Sequence, residues 1–248
     1  MKVLLFNGSP RANGCTYTAL SEIASVLGAQ GIETEILQIG NKPVQDCIGC
    51  GGCAGKDKCV FTDDCANEWI EKAKSADGFV FGTPVYYAHP SGRILSVMDR
   101  LFYAGGKHFA HKPAAVIASA RRAGTTATLD TISKHLTINQ MPVISSTYWN
   151  MVHGNTPEQV KQDLEGMETM RNIGANMAWI LKCIEAGKKS GISVPQTVKT
   201  VKTNFRRYTR TRSKRNEKNH CSYEFAEAER KLGNFSAEVR GGRLVRRE

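Results

Sequence analysis

Four cysteines lie close together between residues 47 and 59, on a segment rich in glycine. They follow the spacing C-x2-C-x2-C-x5-C and are Cys47, Cys50, Cys53 and Cys59. Thiolates two residues apart on a turning loop can reach adjacent irons of one iron–sulfur cluster. The intervening glycines let the backbone curl so that the sulfurs converge; they are Gly49, Gly51, Gly52 and Gly55.

Three other interpretations of this cysteine loop stay open. Zinc prefers separated pairs of ligands in tetrahedral geometry, which three thiols at two-residue intervals match less well. Cys50 and Cys53 could instead form a redox-active thiol–disulfide pair. The loop could also bind nothing. Nearby Cys65 falls on a predicted helix and is expected to pack in the core, and Asp63 and Asp64 are expected to be helix N-terminal charges.

A second candidate site is the sequence NGSPRANGCTYT, residues 7–18, which joins the first predicted strand to the first predicted helix. The amino end of a helix offers unpaired N–H groups and the positive end of its dipole, so it attracts anions. Ser9 and Thr16 add hydroxyl donors, and Arg11 adds a guanidinium suited to phosphate. The segment has neither a dinucleotide glycine fingerprint nor a nucleoside-triphosphate P-loop. The alternative is an ordinary turn that caps a helix.

The segments around these loops alternate between strand and helix patterns. Strands are predicted at 2–10, 33–39, 78–87, 113–120 and 141–149, and helices at 18–31, 65–76, 91–104, 125–140 and 157–187. This alternation predicts an α/β fold, a flavodoxin-like three-layer sandwich with a five-stranded parallel sheet in the order 2-1-3-4-5 and helices on both faces. Ligands bind such sheets beyond the carboxyl ends of the strands, where the strand order reverses.

Two strings in these loops carry a family resemblance. GSPRANGCT (8–16) resembles the phosphate loop of NAD(P)H-dependent FMN reductases, and GTPVYYAHPSGRILSVMDR (82–100) resembles the isoalloxazine loop and following helix of the same superfamily. The resemblance implies that the FMN phosphate is held by Ser9, Arg11, Gly14, Cys15 and Thr16. It implies that the flavin ring is lined by Pro84, Val85, Tyr86 and Tyr87. A third strand end would close over the dimethylbenzene or ribityl side, with Ser119, Arg121, Arg122 and Gly124 as candidates. A solvated surface pair is the alternative for Arg121 and Arg122.

The family implies an enzyme, an FMN-dependent oxidoreductase that takes hydride from NAD(P)H and reduces a quinone, flavin or nitroaromatic acceptor. No catalytic side chain is assigned, because the cofactor carries the chemistry. The cysteine spacing also resembles the compact motif of archaeal-type iron–sulfur flavoproteins, which carry a [4Fe–4S] cluster beside FMN. This resemblance covers residues 1 to about 185. The alternative function is therefore an electron carrier whose cluster is bound by Cys47, Cys50, Cys53 and Cys59.

Positive charge is concentrated at the carboxyl end. Residues 196–248 hold fifteen Lys and Arg against six Asp and Glu, whereas the rest of the chain is nearly balanced. We therefore expect a flavodoxin-like FMN-binding domain at 1–190 and a basic extension at 191–248, which contacts other subunits or is partly disordered. A short helix is predicted at 223–233. A redox-sensing protein that binds nucleic acid through this tail is a further alternative, but no known nucleic-acid-binding pattern frames it.

The lengths of the apolar runs indicate where in the cell the protein is expected. No stretch approaches ~18 consecutive apolar residues, so no membrane span is predicted. Asn7, Gly8 and Pro10 interrupt the first apolar run, so no signal peptide is predicted. We expect a cytoplasmic protein with reduced cysteines. By analogy with the family we expect a homodimer or homotetramer whose partners are a nicotinamide cofactor and a small-molecule or protein electron acceptor, and no membrane or nucleic acid.

Overall fold

A computed structural model describes residues 1–198, 237–240 and 243–246. The chain divides into two units, Met1–Pro195 and Gln196–Glu248. The helix predicted at 223–233 lies outside the described residues. No helix among the described residues is long and apolar enough to cross a bilayer.

The first unit alternates strands and helices. Its strands are β1 (Lys2–Asn7), β2 (Glu33–Gln38), β3 (Gly78–Tyr86), β4 (His89–Pro90), β5 (Ala114–Ala120) and β6 (Met151–His153). Its helices are α1 (Cys15–Ala29), α2 (Ala66–Ala73), α3 (Gly92–Gly105), α4 (Thr125–Ile138), α5 (Pro157–Gln162) and α6 (Leu164–Lys189), with a 3₁₀ turn at Gly106–His108. In the second unit, β7 (Ala237–Arg240) and β8 (Arg243–Arg246) pair in antiparallel fashion.

The sheet of the first unit has the order β2-β1-β3-β5-β6, and all of these pairs are parallel. Strand β4 adds a two-residue antiparallel pairing to the end of β3 and was not predicted. When the five parallel strands are numbered alone, β5 and β6 are the fourth and fifth. The predicted order 2-1-3-4-5 and the flavodoxin-like fold are therefore confirmed. The register sets Asn7 beside Gly82 and Pro84 beside Ser119. The segments that follow β1, β3 and β5 therefore leave the sheet at the same edge.

Side chains of the central strands alternate between two cores, as the period of a strand requires. Leu4 and Phe6 pack with the helices α2, α3 and α4, whereas Val3 and Leu5 pack with α1 and α6. The ring centroid of Phe6 lies 4.8 Å from that of Trp69 on α2. Helices thus cover both faces of the sheet, which gives the three layers.

The fifth parallel strand lies later in the chain than the predicted 141–149. Only Val143 of the predicted segment forms a bridge, to Ala114. Pro142 has no N–H to donate to a ladder, and the chain leaves the sheet after Ile144. The chain rejoins the sheet at Asn150, whose carbonyl accepts the N–H of Ala118 at 3.0 Å, and β6 follows.

The helix predicted at 157–187 is two helices. Asp163 separates α5 from α6 with φ −75° and ψ 79°, which is not helical. Its carboxylate accepts the N–H of Gly166 at 3.0 Å and that of His153 at 2.6 Å. The helix therefore restarts at a new N-cap, and this cap also joins α6 to the last strand.

Two helical glycines provide a matched test of this packing. A Cβ atom on Gly174 of α6 would lie 2.9 Å from the Cβ of Val26 on α1, whereas one on Gly28 would have no atom within 4 Å. We expect Gly174→Ala to lower the free energy of unfolding by about 1–3 kcal/mol through overpacking. We expect Gly28→Ala to raise it by up to about 1 kcal/mol, because alanine favours the helix. Denaturant unfolding measures both, and equal effects would contradict the tight α1–α6 contact.

Candidate functional site

The loop after β1 is organised by the fully buried side chain of Asn7. Its Oδ1 accepts the N–H of Ser9 at 3.1 Å, and its Nδ2 donates to Oε1 of Gln38 at 2.6 Å. Gln38 in turn donates from Nε2 to the Ser9 carbonyl at 2.7 Å. The hydroxyl of Ser9 accepts the N–H of Arg11 at 3.2 Å. The loop is therefore fixed in shape before α1 begins.

The amino end of α1 opens onto this loop. Gly14 is the N-cap residue, and no side chain caps the helix there. The N–H groups of the first turn therefore remain free to meet a bound anion. Arg11 is exposed beside them. Gly8 has to be glycine, because a Cβ there would lie 2.8 Å from the carbonyl oxygen of Gly82.

Hydrogen bonds join the loop after β1 to the ends of the neighbouring strands. Thr16 Oγ1 and Ser119 Oγ are 2.7 Å apart, and both side chains are buried. The Ser91 hydroxyl at the start of α3 donates to the Gly8 carbonyl at 3.1 Å. The thiol of Cys15 donates to the carbonyl of Gly154 at 3.7 Å. Burial raises the pKa of Cys15, so this group stays a neutral thiol at neutral pH.

The segment after β3 presents two exposed tyrosines. Tyr86 is about half exposed, and Tyr87 is fully exposed with a φ of 51° in the left-handed region. Gly124, which has a φ of +93°, lies against this segment, because a Cβ there would overlap Cα of Ala88 and lie 2.9 Å from Cγ1 of Val85. The turn after β5 is thus packed against the turn after β3.

The sequence-predicted flavin-site residues all lie at one edge of the sheet. Ser9, Gly14, Thr16 and Ser119 are buried there. Pro84 and Val85 are half-buried, while Arg121 and Arg122 are exposed. The backbone carbonyl of Arg122 is hydrogen-bonded to Nε2 of His153 at 3.1 Å. The exposed arginine side chains fit both interpretations of this pair, a surface pair or a pair that meets a ligand.

All four cysteines of the loop 47–59 line one cavity of about 100 Å³. Gly49, Gly51 and Gly55 have φ values of +64°, +70° and +70°, so the loop turns at positions that favour glycine. Cys59 is buried, whereas Cys50 is exposed. Within residues 1–198, no three side chains of His, Cys, Asp or Glu are grouped to hold a single metal ion.

Arg100 of α3 forms the inner wall of this cavity and was missed by the sequence analysis. Its side chain is 1% exposed and pairs with the carboxylate of Asp64. Burial acts to lower the pKa of Arg100, but hydrogen bonds to Asp64 and Cys59 outweigh it and raise the pKa above the ordinary value. The sequence signal that could have identified Arg100 is a charged residue among the apolar positions of the helix predicted at 91–104.

The residues just after the cysteine loop behave as expected. Asp64 accepts the N–H of Ala66 at 3.1 Å at the start of α2, in addition to its pairing with Arg100. Cys65 packs against the core. Burial and the neighbouring charge of Asp64 raise the pKa of Cys65 to about 12, so it stays protonated at neutral pH. It does not line the cysteine cavity.

Comparison with known proteins identifies the family. The model of the NADPH-dependent FMN reductase family matches residues 1–156. The chain belongs to this family. It is an FMN-dependent oxidoreductase, as the loop strings predicted, and the expected family and cofactor FMN are confirmed.

The chain is also similar to proteins named iron–sulfur flavoproteins. One, from Methanocaldococcus jannaschii, is 33% identical over 193 residues, which cover 75% of this chain and 100% of the relative. Another, from Methanosarcina thermophila, is 28% identical over 76% of this chain and 99% of the relative. Among solved structures, a flavodoxin-type WrbA-like protein from Agrobacterium tumefaciens superposes with a TM-score of 0.52 at 15% identity, over 73% of this chain and 97% of that one. This last similarity concerns the fold alone.

Proposed function

We propose that the protein uses FMN at the carboxyl edge of its sheet to oxidise NADPH or NADH and to reduce a quinone, a flavin or a nitroaromatic compound. Bound FMN supplies the hydride acceptance and electron release, and the chain supplies binding, orientation and electrostatics. The observation that carries the proposal is the convergence of the loops after β1, β3 and β5 in a chain of this family.

The amino end of α1 is the proposed site of the FMN phosphate. Its uncapped first turn offers N–H donors and the positive end of the helix dipole. The guanidinium of Arg11 adds a charge-assisted hydrogen bond from the solvent side. The proposed ligands are Ser9, Arg11, Gly14, Cys15 and Thr16. Cys15 is assigned through its backbone N–H, since its thiol is directed to Gly154.

The turn after β3 is the proposed binding site of the flavin ring. The exposed side chains of Tyr86 and Tyr87 provide flat apolar surface beside the edge of the sheet. The positive φ of Tyr87 and Ala88 is unusual for residues other than glycine, and such backbone strain is concentrated at ligand sites. The proposed ring contacts are Pro84, Val85, Tyr86 and Tyr87.

The turn after β5 is proposed to close the site, with contacts from Ser119, Arg121, Arg122 and Gly124. Ser119 is tied to the phosphate loop through Thr16, and Gly124 lies against the ring loop, so this turn touches both parts of the site. If Arg121 and Arg122 turn inward, their charge attracts the phosphates of a nicotinamide dinucleotide and stabilises an anionic reduced flavin.

A second candidate function is favoured by the cysteine cavity. Four thiols at the spacing C-x2-C-x2-C-x5-C around one cavity suit a [4Fe–4S] cluster, and this spacing matches the separated ligand pairs of zinc less well. The relatives named iron–sulfur flavoproteins point the same way. The proposed ligands are Cys47, Cys50, Cys53 and Cys59. Such a cluster supplies one-electron transfer, and the protein then passes electrons from flavin to a partner protein.

The proposed oxidoreductase activity is tested by measuring turnover. We expect FMN-loaded protein to oxidise NADPH or NADH when a quinone, free flavin or nitroaromatic acceptor is added, because the site holds the ring beside an open surface. The loss of nicotinamide absorbance under anaerobic conditions measures this, with FMN-free protein as the control. Protein that retains FMN yet oxidises neither nicotinamide with any of the three acceptors would contradict the enzyme proposal.

The phosphate site is tested by comparing FMN with riboflavin, which lacks the phosphate. We expect Arg11→Ala to weaken FMN binding about 10-fold, as loss of one charge-assisted hydrogen bond predicts, and to leave riboflavin binding unchanged. Flavin fluorescence titration gives both dissociation constants.

Two further variants complete that comparison. Gly124→Ala should weaken both ligands, because its Cβ would displace the ring loop at Ala88. Lys74→Ala, which removes a surface ion pair with Glu71 on α2, should change neither. Equal loss of FMN and riboflavin binding in Arg11→Ala would place the phosphate elsewhere.

The cluster is tested by anaerobic purification. We expect about four irons and about four acid-labile sulfides per chain. Cys50→Ser should lose most of the iron and keep FMN, whereas Cys183→Ser, on α6 and away from the cavity, should keep both. Absence of iron and sulfide from anaerobic wild-type protein would rule out the second function and leave the first intact.

A further inference from the structure

The guanidinium of Arg100 contacts the cysteine loop at Cys59 and the chain just before and just after the loop. Its Nε–H donates to Sγ of Cys59 at 3.2 Å. Nη1 donates to the carbonyl of Gln45 at 3.0 Å, and Nη2 donates to the carbonyl of Phe61 at 2.8 Å. The remaining partner of Nη1 is the carboxylate of Asp64. The bond to Cys59 lies in the interior. The ion pair is also buried, since the Arg100 side chain is 1% exposed and that of Asp64 is 6% exposed.

These contacts close the loop at its two ends. Gln45 precedes the first cysteine of the loop by two residues, and Phe61 follows the last by two. One side chain therefore holds both ends of the segment that carries all four thiols. Asp64 strengthens the closure, because its carboxylate also accepts the N–H of Gln45 at 3.2 Å. Only a planar fork with several fixed donors can make these contacts together, and a lysine ammonium cannot.

A buried ion pair needs a reason beyond stability. Apolar residues of similar volume often stabilise a fold as well as or better than a buried pair does. Here the pair leaves one N–H of Arg100 directed at a cysteine sulfur, Cys59. Hydrogen bonds to the sulfurs are among the factors that set the reduction potential of an iron–sulfur cluster. This contact gives Arg100 a role at the Cys59 sulfur.

We propose that Arg100, supported by Asp64, is a positioning residue for the iron–sulfur cluster that holds the cysteine loop closed and raises the reduction potential of the cluster through its N–H bond to Cys59. The inference rests on the second candidate function. Reduction adds one electron and hence one negative charge to the cluster, and no bond forms or breaks. An N–H donor beside the sulfur stabilises the more negative state, so its removal makes the potential more negative.

The same helix links this residue to the flavin site. Ser91, the N-cap of α3, donates to the carbonyl of Gly8 in the phosphate loop, and Arg100 lies nine residues further along. At 1.5 Å per residue, Ser91 and Arg100 are about 14 Å apart along the helix axis. A potential set by Arg100 therefore controls electron transfer between two centres held by one rigid helix.

The test uses full-length protein purified anaerobically and three variants. Arg100→Lys keeps the charge and loses the fork. Arg100→Gln combined with Asp64→Asn removes both buried charges together, so that neither is left unpaired. Arg93→Lys is the matched control, because Arg93 lies two turns earlier on α3 and donates to the carbonyl of Lys42 instead of contacting Cys59 or Asp64. Redox titration followed by electron paramagnetic resonance gives the cluster potential for whatever fraction is loaded, and iron, sulfide and FMN are counted in the same samples.

We expect both Arg100 variants to have a more negative cluster potential and less iron than the wild type, with FMN content unchanged, and Arg93→Lys to match the wild type. Cluster loss with FMN retained also supports the proposal. An unchanged potential with full iron in both Arg100 variants would overturn it, as would loss of FMN together with the cluster, which indicates general unfolding. Wild-type protein without iron and sulfide would overturn the cluster function itself, and this inference with it.

Discussion

Parallel pairing of β1 with β3 and of β3 with β5 is the constraint on which the proposed flavin site depends. Parallel strands end at one edge, and this register sets Asn7 beside Gly82 and Pro84 beside Ser119. Turns from three distant parts of the chain therefore meet without long loops. The close approach at Gly8, whose N–H donates to the Gly82 carbonyl at 2.8 Å, leaves no room for a side chain between the first two turns.

Helix α3 connects this edge to the cysteine cavity. Ser91, at its start, is hydrogen-bonded to Gly8 in the loop after β1, and Arg100, on its third turn, lines the cavity. The proposed flavin site thus lies near the start of α3, and the proposed cluster site lies beside its third turn. The helix packs on the core through buried side chains such as Met98 and Leu101. In our account, the helix keeps the two redox centres at a fixed separation, which suits sequential electron transfer.

Sequence patterns were sufficient for the strand order and for the three turns, because alternation of strands and helices leaves few topologies and the turn strings are distinctive. They could not locate Arg100, whose partner Cys59 is 41 residues away, or the Asn7–Gln38 bond across 31 residues. Such polar contacts depend on which elements become neighbours. The late fifth strand and the helix break at Asp163 were missed for a related reason, since side-chain caps and the sheet edge outweigh local propensity there.

The central claim is that one crevice at the carboxyl edge of the sheet binds FMN. A crystal structure of the protein grown with FMN tests it most directly. We predict phosphate density within hydrogen-bond distance of the N–H groups at the start of α1 and a ring lying along residues 84–87. Density for FMN elsewhere, or a crevice filled by protein side chains in crystals saturated with the cofactor, would contradict the account.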